Sequence, residues 1–165
     1  MTIHQNIPSM LQESLPEMLL VAKYCIEFRK DESVWSAPGC YGYPATLILL
    51  SIADSIGSYI ERGNVKNHFK ILKNIDYYGL DLSDDEIRIL YDNYRNLITH
   101  HSVIANNVVL GIGSKNNPML KSKGGIYLLN LVPFYNASIK AINAFLQNHN
   151  VLINNQTVMN IEKKL

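Results

Sequence analysis

At 165 residues the chain is long enough to bury a core of its own without disulfides or metals as staples, and it needs no second domain. Fifteen Lys and Arg against fourteen Asp and Glu leave a net charge of +1, which excludes a global basic field of the kind that marks many nucleic-acid binders; any such contact has to be local. Cys25 and Cys40 lack metal-ligand spacing and read as small hydrophobes in a reducing compartment. The start, "MTIHQNIPSMLQES", does not have the basic-then-apolar layout of a signal peptide, and the apolar run "PATLILLSIADSIG" is broken by Ser51 and Asp54. The expectation is therefore a cytoplasmic protein with no membrane segment.

Along the chain, Ser14 and Glu17 stand in capping-box spacing, with Pro16 in the first turn, and open a first helix over 14–31. "SAPGCYGYP" (36–44) is punctuated by Pro and Gly and reads as a loop. A strongly apolar second helix runs from Ala45 to Arg62 and stops at Gly63. The spacing of Val65, Phe69 and Leu72 predicts a shorter third helix over 65–76, with Lys66, Lys70 and Lys73 on its solvated side. Ser83 and Glu86 form a second capping box, with Asp84 and Asp85 at the positive end of the dipole, and that fourth helix should reach about Ala105. "NNVVLGIG" and "GGIYLLN" read as the two strands of a hairpin joined by a long polar loop over 114–123. Pro133 opens a last long helix to about Asn148, and the tail, 149–165, has room for one weak helical turn. The fold expected is mainly α: a single helical domain over 1–165, with its core at about 14–148, built as a bundle of four or five helices with a β-hairpin inserted before the last long one.

On a regular helical wheel Ile87, Leu90, Tyr94, Leu97, His101 and Ile104 trace one apolar stripe of the fourth helix, so His101 is expected at the core or an interface. Asp92, Asn96 and His100 trace a polar stripe bordered by Arg95 and Thr99. Asn96, one turn before His100, is placed to select its tautomer, and Arg95 supplies a permanent cation. Cation, orienting amide and imidazole together suit a phosphate with a proton to move; the plain alternative for His100 is a solvated side chain near a helix end.

The run "R95-N96-L97-I98-T99-H100" resembles the Arg-polar-x-x-x-His signature of the HEPN superfamily (higher eukaryotes and prokaryotes nucleotide-binding domains), late on a long helix of an α-helical bundle. "ILYDNYRNLITHHSV" is similar to the Leu/Tyr-rich lead-in of bacterial HEPN-like proteins, and "LLSIADSIGSY" and "GGIYLLNLVPFYNASIKAINAFL" resemble their flanking segments. What the resemblance implies is a metal-independent, cofactor-free endoribonuclease of a defence or toxin–antitoxin setting, with Arg95 and His100 catalytic and Asn96 supporting. It also implies a homodimer in which two motifs face one cleft, an RNA substrate, and a cognate antitoxin or regulator as partner. One toxin branch carries a tyrosine two residues after its His; that place holds Ser102 here, or Val103 counted from His101, which tells against the nucleotide-transferring kind of antitoxin.

Outside the motif, Asp54 interrupts an apolar helix, where a carboxylate has to be exposed, paired or hydrogen-bonded. It either points at Arg95 from the neighbouring helix, or is a buried structural Asp or one on the rim of a groove. "GIGSK" (111–115) lacks Walker and Rossmann spacing, and its glycines suit a tight hairpin turn. Lys115, Lys121 and Lys123 in the expected hairpin loop are the candidates for RNA-backbone contacts. A catalytically silent HEPN-like module that binds a nucleotide, an RNA or a partner protein is the competing reading, and a plain helical interaction protein a third.

Overall fold

A computed structural model describes residues 7–36, 38–61 and 63–148; the turn expected in the tail lies outside them. The fold is mainly α. Three long helices, α1 (Ile7–Glu27), α2 (Gly42–Ile60) and α6 (Leu131–Asn148), pack against one another, and α2 also touches the shorter elements between residues 65 and 111. Its position follows from its composition: Ala45, Leu49, Leu50, Ile52, Ala53 and Ile56 are all fully buried. By length and apolarity α2 is the one described helix that could cross a membrane, but its side chains form the core of this bundle.

Helix α1 does not begin at the Ser14–Glu17 box. It is already helical at Ile7 and carries Pro16 in its interior. Leu15, Leu19, Ala22 and Ile26 bury one stripe, Leu11 extends it backwards, and this packing outweighs the hydrogen bond that the proline removes. The helix also ends earlier than expected. The chain doubles back on itself there, with Lys30 N–H donating to Gly39 O and Tyr41 N–H to Cys25 O, while Arg29 donates to the Ile26 carbonyl at 2.8 Å. The third helix is brief: α3 (Val65–His68), capped by Asn64, tightens into a 3₁₀ turn (Phe69–Leu72). That tightening buries Ile71 as well as Phe69 and Leu72.

The capping box at Ser83 and Glu86 is present, and from it a continuous helical rod runs as α4 (Asp84–Ile89), a π-helical segment (Leu90–Asn96) and α5 (Leu97–His101). The i→i+5 bonding of the middle segment puts more residues in each turn and rotates everything after it. The buried stripe is consequently Ile87, Leu90, Tyr94 and Ile98, and His101, expected along the apolar face, is exposed. The rod stops at Ser102, which takes the left-handed conformation (φ 58°), short of Ala105.

The expected hairpin is a three-stranded sheet in the order β1-β3-β2, with β1 (Val108–Gly111), β2 (Leu120–Lys123) and β3 (Ile126–Asn130). The two strands read from the sequence pair in parallel, Val108 opposite Tyr127, and the true hairpin is β2–β3, closed by Gly124 and Gly125, both at positive φ. The tight turn is thus at 124–125 and not in "GIGSK". Strand β2, "LKSK", has no apolar alternation to betray it; it forms because it satisfies the open edge of β3, and its lysines blunt the new edge. Helix α6 follows β3 without a loop, two residues before Pro133.

Candidate functional site

Neighbouring residues of the π-helical segment face opposite partners. Tyr94 is fully buried, and its hydroxyl lies 3.1 Å from Val109 O on β1 and 3.0 Å from Tyr127 O on β3, sharing its proton across the parallel pair. Burial pushes this phenol well above its ordinary range. Asn93 pins the same rod to the loop before β1 through Asn107 at 3.0 Å.

Arg95 turns instead towards α2. Its Nη2 donates to Asp54 Oδ2 at 3.2 Å and its Nη1 to Asn96 Oδ1 at 3.2 Å, while its guanidinium carbon lies 5.9 Å from the centre of the Tyr91 ring. The approach of Asp54 to Arg95 is therefore real, and it is how the carboxylate in this apolar helix is satisfied. Asp54 has a second partner. Its other oxygen, Oδ1, sits 2.9 Å from His68 Nδ1. The side chains of Arg95, Asp54 and His68 are 23%, 21% and 15% exposed, a half-sheltered charged cluster at the edge of the core.

His68 is the residue that sequence reasoning passed over. Nothing in "VKNHFKILKNID" singles it out, because its importance depends on α3 lying directly on α2. Gly57, one turn after Asp54, makes that approach possible: a Cβ there would fall against the His68 carbonyl oxygen and within 2.9 Å of its Cα. Phe69, the next residue, is fully buried and meets Tyr91 edge-on at 5.6 Å, so the ring under Arg95 is braced by the turn that carries His68.

The other expected site residues are placed differently. His100 is exposed in the last turn of α5, and its side chain has no hydrogen bond to any described residue. Asn96 does not orient it, since its side-chain oxygen accepts from Arg95 instead. His101 is exposed and joins no partner in the cluster. Lys121 and Lys123 are exposed on edge strand β2, and Lys115 borders a separate cavity with Asp81, Asn117 and Asn136. No hydrogen bond or ion pair links these lysines to Arg95 or His100 among the described residues. Among the same residues no three His, Cys, Asp or Glu side chains gather in a metal-holding group.

Set against known protein families, characterised proteins and solved structures, the chain matches none. Any functional reading therefore rests on the residues and their geometry.

Proposed function

We propose that the chain is a metal-independent endoribonuclease of the HEPN type, cytoplasmic and cofactor-free, working as a homodimer in which the Arg95–His100 segments of two protomers share a cleft. The observation that carries this reading is the state of the motif. The guanidinium is held in place by a carboxylate from α2, and the imidazole at the end of the same rod is free to meet a ligand. A ribose 2′-oxygen would attack the adjacent phosphorus as its proton passes to an imidazole; the P–O5′ bond would break, and the 5′-oxygen would take up a proton. The products are a 2′,3′-cyclic phosphate and a 5′-hydroxyl, and DNA is inert for want of the nucleophile. Arg95 would stabilise the charge gathering on phosphorus, worth roughly 3 kcal/mol for one well-placed donor. Lys115, Lys121 and Lys123 are the proposed contacts for RNA outside the cleft, and an antitoxin or regulator that covers α5 would silence it.

One observation favours the second reading, a catalytically silent HEPN-like module that binds nucleotide, RNA or protein. Asp54 already balances the Arg95 charge, as it would if the motif served mainly to tie the rod to α2. Labelled RNA incubated with the purified protein in EDTA separates the two. Cleavage to cyclic-phosphate ends that is lost in both Arg95→Ala and His100→Ala, with the fold retained, supports the enzyme. Binding without cleavage in the unmodified protein supports the silent module.

A further inference from the structure

We infer that His68, held by Asp54, is a second acid–base imidazole of the Arg95 site, acting on the phosphodiester of a bound RNA. The inference rests on the nuclease reading and names a group that the Arg95–His100 motif leaves out. The two oxygens of one carboxylate serve both groups: Oδ1 lies 2.9 Å from His68 Nδ1 and Oδ2 3.2 Å from Arg95 Nη2. An ionised carboxylate only accepts, so Nδ1 carries the hydrogen and the lone pair of a neutral His68 is at Nε2. That nitrogen has no partner among the described residues and is not among the buried polar atoms left without one, so it is open to solvent on a ring that shares its carboxylate with the guanidinium. Carboxylate, imidazole with a fixed tautomer and free far nitrogen make a general base whose orientation is set before substrate arrives.

The arrangement is also built, in the sense that several independent features hold it. Gly57 lets α3 lie against α2, Asn64 caps α3 by accepting from Asn67 N–H at 3.2 Å, and buried Phe69 anchors the following turn on Tyr91. In the reaction, His68 Nε2 takes the proton of the 2′-hydroxyl while the O2′–P bond forms. His100, from the same protomer or its partner, gives a proton to the departing 5′-oxygen, and Arg95 steadies the phosphoryl oxygens. Asp54 is a positioning residue, acting through His68 and Arg95.

The test is the pH profile of kcat/KM for RNA cleavage by the full chain and by His68→Asn, with imidazole spectra of the unmodified, ¹⁵N-histidine-labelled protein titrated with 2′-O-methyl RNA, which cannot be cleaved. The expected result is a fall of about 100-fold in His68→Asn with loss of the ascending, acid-side limb, and movement of the His68 Nε2 resonance on adding the methylated RNA. A variant that keeps both limbs, whether its rate is unchanged or merely scaled down, overturns the inference. If His68→Asn fails to fold, the spectra of the unmodified protein decide: a silent His68 beside a responsive His100 overturns it. If the unmodified protein does not cleave RNA at all, the nuclease reading fails by itself. The role of His68 as a phosphate-facing group then stands on a moved Nε2 resonance and falls on an unmoved one.

Discussion

Tyr94 and Arg95 are adjacent in the chain and live in opposite physical regimes. Tyr94 is enclosed by apolar side chains and fastened to two strands by a neutral hydroxyl; Arg95 sits at the rim, fastened to α2 by charge. The first arrangement stabilises the fold, because burying an aromatic ring with its hydroxyl satisfied is favourable on both counts. The second adds little stability, because the cost of taking the partly buried charges out of water offsets much of their attraction. What it adds is orientation. One rod thus has a face that holds the protein together and a face that holds charged groups in place.

The comparison can be broken most decisively at Tyr94. Replacing it with Ala should destabilise the protein by about 3–5 kcal/mol in denaturant titrations, whereas Arg95→Met should cost clearly less, because Asp54 keeps His68 as a partner when the guanidinium is gone. Equal effects would mean that both faces are structural. Next in size is Gly57→Ala, expected to be destabilising by about 1–3 kcal/mol despite the better helix propensity of Ala, because the new methyl meets backbone and not a movable side chain. It should also detach His68 from Asp54, which a change in the His68 imidazole resonances would report.

Tyr94→Phe keeps the packing and removes the hydroxyl, for a loss of about 1 kcal/mol. It sharpens the contrast through pH as well. The folded-state pKa of Tyr94 is raised by burial, so its contribution is complete below the ordinary phenol value of about 10 and is lost as pH climbs above it, where the unfolded chain ionises first. The alkaline fall in stability should be shallower in Tyr94→Phe than in the parent; buried Tyr78, shifted in the same direction, accounts for what persists. The smallest effect belongs to Lys73→Ala, which removes the exposed 2.8 Å pair with Asp84. That pair holds the Asp84 carboxyl below its usual range, so its small contribution is present near neutrality and vanishes as pH falls through the carboxylate range. Melting curves of the two proteins should converge in acid.

Much of the candidate site was legible residue by residue and little of it as a constellation. Arg95 and His100 stand out by spacing, and Asp54 by being a carboxylate in an apolar helix. His68 had no such mark, being a single His in a short lysine-bearing helix. The assignment of Asn96 to His100 missed a nearer competitor: the adjacent Arg95 donates to the Asn96 side-chain oxygen, a choice that helical spacing does not display, whereas the i→i+5 bonding before it is what turned His101 off the apolar stripe.

The residue pattern by itself determined what local forces decide: a mainly α chain, an apolar α2, the Ser83–Glu86 start of the rod and the two apolar strands. These depend on hydrogen bonds and periodicities within a few positions, which a sequence displays directly. Only the tertiary structure decided the parallel pairing of β1 with β3, the strand hidden in "LKSK", the outward turn of His101 and the meeting of Asp54 with both Arg95 and His68. Each of these is a choice among locally similar alternatives, settled by which distant surface is available to cover an apolar face or satisfy a polar group, and that information belongs to the packed whole.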